Sequence, residues 1–261
     1  DKYLATLTFR ADASSKYQQK WGYFPSLGIA WNITQENFSR INEKFANLKL
    51  RLSWGMLGND NVPANSSMIL GQTGVGSSGV FGDNLVDGMG AQTVLQNYLK
   101  WETVTEFDMG FDFTLKNQKV SGELDYYRRV TNNVVFYAPI ATGGGIAELL
   151  GNNGKVLNTG VEFSLNYKNE ISKDLNYNIS FNATFNHNEV LELNGREYIP
   201  SGYVRGNYTT RTAVGHPIGS FYGYEIDGVY KSELEALRDP VSQAIKDKGY
   251  FKYKDQNGDK V

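Results

Sequence analysis

The stretch that decides the fold is Leu175–Phe185, Leu-Asn-Tyr-Asn-Ile-Ser-Phe-Asn-Ala-Thr-Phe, in which apolar and polar residues alternate without a break. Because successive side chains of a β-strand point to opposite faces, this segment predicts a strand with one apolar face and one face of amides and hydroxyls. The same alternation recurs in Phe107–Leu115 and Val161–Lys168. Strands of about ten residues, apolar on one face and polar on the other, are typical of a transmembrane β-barrel.

The composition narrows the class of protein further. The 17 Tyr and 14 Phe suit strands and the aromatic girdles of a membrane barrel. No apolar run approaches the roughly 18 residues that a membrane helix needs. The net charge of −2 gives no electrostatic case for nucleic acid, and the absence of Cys excludes disulfides and thiolate metal sites.

Seven segments are candidate strands, and two are candidate short helices. The helices are Glu36–Phe45 and Glu233–Asp247, and Asp239-Pro240 is expected to split the second into two pieces. We therefore predict an all-β chain in which residues 1–191 form wall strands with long loops and residues 192–261 form an external loop region with short helices. The candidate strands are Tyr3–Ala11, Gly22–Thr34, Asn47–Gly58, Lys100–Leu115, Lys119–Tyr137, Leu157–Lys168 and Leu175–Val190.

Short and long connections alternate between these strands. Lys116–Gln118 and Asn169–Lys173 are short, whereas Asn59–Leu99, Ala138–Val156 and the stretch after Glu192 are long. Outer-membrane barrels place short turns on the periplasmic side and long loops outside. A soluble β-sandwich, such as a glycan-binding or adhesin module, also alternates, with its apolar face inward. Strands longer than the usual 3–10 residues favour the membrane barrel.

Seven stretches, in order along the chain, together resemble the SusC/RagA-type, TonB-linked outer-membrane transporters. They are Tyr3–Lys16, Trp21–Trp31, Leu48–Asn59, Trp101–Gly110, Leu124–Arg129, Asn158–Phe163 and Gly215–Tyr224. The resemblance implies a segment of a 22-stranded antiparallel barrel in the bacterial outer membrane, with an N-terminal plug. It also implies a SusD-like surface lipoprotein, energy from the TonB complex, and import of oligosaccharides or peptides.

The ends of the chain bear on how much of such a transporter is present. The chain enters a strand at Asp1-Lys2-Tyr3 without Met and stops in the polar run Asp259-Lys260-Val261. We therefore expect an internal fragment of the barrel, in which the plug and the TonB-binding segment are missing. Gly215–Tyr230 alternates poorly, and we assign it to the external region rather than to a full membrane strand.

No motif in the sequence points to catalysis. The chain has no nucleophile elbow and no H-E-x-x-H, so we expect no enzyme and no cofactor apart from a possible calcium ion. Gly74–Gly79 matches G-x-G-x-x-G, but no helix pattern follows, which favours a flexible loop. His187 and His216 are interpreted as loop residues.

One short run could hold a cation. Asp255, Asn257 and Asp259 carry oxygen side chains at alternate positions, as calcium loops do. Lys260 stands where the sharp-turn Gly of the resembled family would be. The run is therefore interpreted either as a solvated Asx-rich turn or as a weak calcium site, and the residues that would bind substrate stay unknown.

The alternation also predicts which side chains share a face. We expect one outward surface and one opposite, interior surface, and a register slip of one residue would invert both. The outward set is Phe107, Met109, Phe111, Val161, Phe163, Leu165, Ile179 and Phe181, and the interior set is Asp108, Asp112, Glu162, Asn166, Asn178 and Asn182.

Overall fold

A computed structural model of the chain describes residues 1–37, 40–62, 71–73, 78–91, 94–95, 99–139, 148–204, 207–256 and 258. Its contacts form two compact units. The first contains Asp1–Ile199 and Thr212–Ile218, and the second contains Pro200–Arg211 and Gly219–Val261. No described helix has the length and apolar character needed to cross a membrane.

The first unit is built on one antiparallel sheet in which seven long strands follow one another in chain order. A short strand, Val94–Leu95, adds to β6 in parallel. The long strands are β1 (Tyr3–Ala13), β2 (Trp21–Asn32), β3 (Phe45–Asn59), β4 (Glu102–Leu115), β5 (Val120–Pro139), β6 (Glu148–Ser172) and β7 (Leu175–Glu192).

All seven expected strands are present, but two connections are shorter than the sequence indicates. The structure continues β5 to Pro139 and starts β6 at Glu148, so most of the expected loop Ala138–Val156 is a long hairpin. A bulge between Thr131 and Val134 accommodates the Asn- and Gly-rich residues there. The expected turn Asn169–Lys173 is likewise wrong in extent, because only Lys173 and Asp174 lie between the end of β6 and the start of β7.

The helix expectations are only partly confirmed. The segment Glu36–Phe45 contains one 3₁₀ turn, Arg40–Glu43, and a second one, Ile33–Gln35, precedes it; none of its described residues is in an α-helix. In the second segment, α1 covers Glu233–Arg238 and is capped by Ser232. The expected second piece is wrong, because the residues after Pro240 are not helical.

The remaining described strands are short. Tyr198–Val204, Asn207–Ala213 and Ser220–Phe221 form a three-stranded sheet, and Ile226–Val229 pairs with Phe251–Tyr253. Within the long connection between β3 and β4, Gly71–Thr73 pairs with Met89–Ala91, and Gly79–Phe81 pairs with Asn84–Val86. Tyr230 is buried beside α1, where its hydroxyl donates to Asp239 Oδ2 at 2.9 Å.

Candidate functional site: the two faces and two rims of the wall

The apolar face of the sheet is open to its surroundings. The register places Met109 opposite Tyr126, Tyr126 opposite Val161, and Val161 opposite Phe185, so apolar residues form continuous rows across the strands. Phe181 and Phe185 remain 57% and 73% exposed. No second sheet covers this face among the described residues. The prediction that the apolar set shares one continuous surface is therefore confirmed, and its outward orientation in a closed barrel stays a prediction.

The height of this apolar face matches a membrane. On β7 it runs from Tyr177 to Phe185, eight steps of about 3.3 Å, which is roughly 20 Å along the membrane normal at a tilt of about 40°. Beyond Phe185, the next row holds Arg128, Thr159 and His187. On β5, β6 and β7 the face therefore reaches a polar row at about the height expected for an outer-membrane band of about 25 Å, whereas on β4 the same row continues with Phe107.

The opposite face carries the predicted interior set. Lys168 is opposite Asn178, Asn166 opposite Ser180, and Ser164 opposite Asn182. Asp125 lies between Gly110 and Glu162 in one row, and Asp112 pairs with Glu123. Acidic, amide and hydroxyl groups therefore line one continuous surface, as a water-facing barrel interior requires.

A side-chain bridge crosses three strands on this polar face. Arg51 on β3, Gly110 on β4 and Asp125 on β5 occupy one row. Arg51 donates to Asp112 at 2.7–3.0 Å and to Asp125 Oδ1 at 2.9 Å. A Cβ on Gly110 would overlap both the guanidinium and the Asp125 carboxylate. Because Gly110 has no side chain, the Arg51 guanidinium on β3 can reach the Asp125 carboxylate on β5.

A second bridge uses the same device on the neighbouring strands. Tyr127 on β5, Gly160 on β6 and Asn186 on β7 share a row, and Asn186 Nδ2 donates to the Tyr127 hydroxyl at 2.8 Å. A Cβ on Gly160 would overlap the Tyr127 ring. Nearby, Arg129 donates two hydrogen bonds of 3.0 Å to Glu106. These bridges fix the polar surface without closing it, and sequence reasoning did not find them because they depend on register.

The loops sort onto two rims. The connections after β1, β3 and β5, and the chain after β7, leave the sheet at one end, which we call the loop rim. The short turns after β4 and β6 leave at the other end, the turn rim, together with the 3₁₀ turns after β2. Near the end of β7, Val190 O accepts a hydrogen bond from Gly215 N at 2.8 Å, and Val190 N donates one to His216 O at 2.9 Å. The predicted sorting of long segments and tight turns is thus confirmed, and which rim faces outside stays a prediction.

An aromatic cluster holds the base of the loop rim together. The Tyr17 and Trp101 rings stack at 4.8 Å, and the Trp101 indole N–H donates to Lys20 O at 3.2 Å. The Tyr17 hydroxyl donates to Asn59 O at 3.0 Å, and burial raises the pKa of Tyr17 to about 12. The connection after β1 is thereby fastened to both ends of the long connection after β3. The members of the cluster are Tyr17, Phe24, Val62, Leu99 and Trp101.

The turn rim carries a buried carboxylate that sequence reasoning missed. Glu36 is 7% exposed and accepts hydrogen bonds from the Tyr3 hydroxyl at 2.7 Å, Trp31 Nε1 at 3.1 Å and Lys2 Nζ at 3.2 Å. The hydrogen bonds from Tyr3 and Trp31, with the Lys2 ammonium, lower the pKa of Glu36. The result is an aromatic pair fixed by its polar edges at one end of the wall.

The candidate cation site is only partly visible. Asp255 Oδ1 accepts a hydrogen bond from Gly258 N, three residues on, at 2.7 Å, while Asn257 and Asp259 lie outside the described residues. Across the described part of the chain, no group of three or more His, Asp or Glu side chains could hold a metal ion. Gly74–Ser77 also lies outside the described residues.

The two histidines have separate surroundings. The His187 imidazole Nε2 lies 3.8 Å from Glu189 Oε2, and His216 uses its backbone O to accept from Val190 N at 2.9 Å. They are not brought together with a carboxylate pair or a nucleophile. The interpretation of His187 as a loop residue is wrong, because it lies within β7 and pairs with Thr159, whereas His216 lies outside the strands, as expected.

Comparison with known proteins gives a consistent result. A family model described as TonB dependent receptor-like, beta-barrel matches residues 1–242. The chain is 34% identical over 238 residues to TonB-dependent receptor SusC of Bacteroides thetaiotaomicron, covering 86% of this chain and 24% of that protein. It is 33% identical over 270 residues to TonB-dependent receptor P26 of Formosa agariphila, covering 100% and 26%.

Solved structures agree with the sequence matches. The RagAB peptide transporter matches with a TM-score of 0.75 and 26% identity, covering 89% of this chain and 25% of that one. The closed-closed state of the RagAB peptide importer matches with a TM-score of 0.73 and 27% identity, covering 88% and 24%. The chain thus spans about a quarter of the length of the proteins it resembles.

Proposed function

Because the chain belongs to the TonB-dependent receptor-like β-barrel family, we propose that it forms part of the wall of an outer-membrane nutrient importer. The observation that carries this proposal is the single sheet with an exposed apolar face and an ion-lined polar face. The apolar face suits lipid, and the polar face suits a hydrated passage. Binding and passage, rather than bond-breaking, are the work of such a wall.

The alternative of a soluble glycan-binding or adhesin module is not favoured. Such a module would bury its aromatic faces between two packed sheets. Here Phe181, Ile179 and Leu7 are 57%, 60% and 80% exposed. A contiguous apolar surface of this kind needs a lipid or protein cover.

We propose oligosaccharides or peptides as the imported nutrients. The similarity to SusC and to a peptide transporter supports both classes and does not select between them. A SusD-like surface lipoprotein would dock at the loop rim, and the TonB complex would act through parts of the transporter beyond this chain. The aromatic cluster at the base of the loop rim supports docking there, because a surface that is held in one conformation can bind a lipoprotein without first being ordered.

The proposal is tested in the source organism with the complete transporter gene. We expect its deletion to abolish uptake of one class in a panel of labelled peptides and oligosaccharides, and a plasmid copy to restore uptake only while the TonB system is active. Uptake that survives deletion of the gene across the whole panel would contradict nutrient import.

The orientation of the rims has its own test. A protease added to intact cells that lack the SusD-like lipoprotein should cut within Asn59–Leu99 or after Glu192. It should not cut the turns at Lys116 and Lys173. Cleavage at these two lysines with the long segments intact would reverse the topology and the proposed docking rim.

A further inference from the structure

The boundary of the apolar face carries one arginine. Arg128 of β5 lies in the row where this face becomes polar, opposite Thr159 of β6. Two residues back along β5 lies Tyr126, which is exposed on the same face. From the row of Arg128 to the turn rim, the apolar face of the seven long strands, which the structure describes throughout this stretch, carries no other Lys or Arg. A cation at this position therefore needs an explanation of its own.

The charge of Arg128 is not neutralised within the described part of the chain. Arg128 is exposed and forms no ion pair with a described residue. Its neighbour Arg129 projects to the opposite, polar face and donates two hydrogen bonds of 3.0 Å to Glu106. His187, in the row of Arg128, is two strands and about 10 Å away, and its Nε2 lies 3.8 Å from Glu189 Oε2. The Arg128 guanidinium therefore keeps N–H donors for an anion.

The surface that adjoins Arg128 is apolar and exposed. Tyr126 on β5, Val161 on β6 and Phe185 on β7 form the next row toward the turn rim, and all three are exposed. This row is about 7 Å from Arg128 along the strand and projects to the same side of the sheet. An arginine on a lipid-facing surface is costly in the hydrocarbon core and tolerated at its edge. Arg128 therefore lies at the level where lipid headgroups adjoin acyl chains.

From this juxtaposition we propose that Arg128 binds the phosphate group of a lipid in the outer leaflet. The inference rests on the proposed function, which turns the apolar face to lipid and the loop rim outward. The planar guanidinium fork of Arg128 donates to two phosphate oxygens, and the Thr159 hydroxyl on the adjacent strand adds a donor beside it. The acyl chains lie along Tyr126 and Phe185, on the same face. Charge complementarity selects an anionic group, and the adjoining apolar row selects a lipid over a free phosphorylated sugar.

The proposal is tested with the complete transporter, purified in mild detergent and delipidated. Native mass spectrometry then measures the ratio of lipid-bound to free transporter at a fixed concentration of phosphorylated lipid A. Arg128→Gln should lower this ratio about fivefold, and Arg128→Lys, which keeps the charge but not the fork, should lower it less than about twofold. The matched control is Arg129→Gln, which makes the same charge change at the next residue but on the polar face, and it should leave the ratio unchanged.

Equal losses in Arg128→Gln and Arg129→Gln would overturn the proposal in favour of a general effect of net charge. Lipid A from which the phosphate has been removed should bind the native transporter about fivefold more weakly, and equal binding would also overturn the proposal.

Two further probes identify the source of the phosphate. Glucose 1-phosphate, which has no acyl chains, should not displace lipid A, and displacement at equal concentration would exclude the lipid. Preferential retention of phosphatidylethanolamine through Arg128 would contradict the outer leaflet. Unchanged nutrient uptake in Arg128→Gln is expected, so failure of this proposal is separable from failure of the transport function.

Discussion

Replacing Phe181 by Arg tests whether the apolar face contacts lipid. Phe181 lies four residues from Tyr177, which is about 13 Å along the strand and about 10 Å along the membrane normal at a tilt of about 40°. It therefore lies near the middle of a band about 25 Å tall, where an Arg on the lipid face costs roughly 2–4 kcal/mol. The neighbouring Asn182 projects to the polar face opposite Ser164, so Asn182→Arg should cost less than about 1 kcal/mol.

The assay is the free energy of unfolding of the complete transporter, measured by urea titration in lipid vesicles. Phe181→Ala is the control for lost ring packing, because the Phe181 and Phe163 ring centres are 6.3 Å apart and their contact is worth about 0.5–1.5 kcal/mol. Subtracting that control isolates the cost of placing a charge in lipid. Equal costs for Phe181→Arg and Asn182→Arg would refute the assignment of the two faces.

Three further predictions concern other parts of the wall. Gly110→Ala should displace the Arg51 bridge and lower the free energy of unfolding by about 1.5–3 kcal/mol in the same titration. The control is Gly28→Ala, which should change it by less than about 1 kcal/mol because no atom lies near the added Cβ. Because hydrogen bonds lower the pKa of Glu36 in the folded protein, its stabilising contribution should be present above about pH 4.3 and be lost as the pH falls through the folded pKa. In thermal melts, acid should therefore destabilise the native transporter more than its Glu36→Gln variant. If Asp255 belongs to a calcium site, isothermal titration of the complete transporter should detect calcium binding that Asp255→Asn weakens, and identical isotherms would remove the site from the account.

The strands and faces could be predicted from the sequence because their signal is local. In Leu175–Phe185 the alternation of apolar and polar residues assigns each side chain to a face of the strand, and no information about a distant partner is needed. The Arg51 bridge is different, since its partners on β4 and β5 follow only from the register of three strands. Glu36 is also different, because its partners Tyr3 and Trp31 come from two other parts of the chain.

The wrong expectations have physical causes as well. Leu234, Leu237 and Val241 have helical spacing, but α1 ends at Arg238 because Pro240 cannot continue it. Asp239 Oδ1 then accepts a hydrogen bond from Val241 N at 2.9 Å, which stabilises the non-helical chain after α1. Asn152 lies in a stretch whose composition favours a loop. Its amide instead bonds both Lys100 N and Lys100 O, which lets β6 continue as a strand.

The most direct test of the central claim is an accessibility scan along Tyr177–Asn186 in the complete transporter reconstituted in lipid vesicles. A nitroxide side chain is placed at each position in turn, and collisions with oxygen, which concentrates in lipid, are compared with collisions with a water-soluble nickel complex. The account predicts a period of two, with oxygen favoured at the odd-numbered positions and nickel at the even-numbered ones. A uniform profile, or the opposite phase, would contradict the assignment of the apolar face to lipid and of the polar face to the hydrated interior.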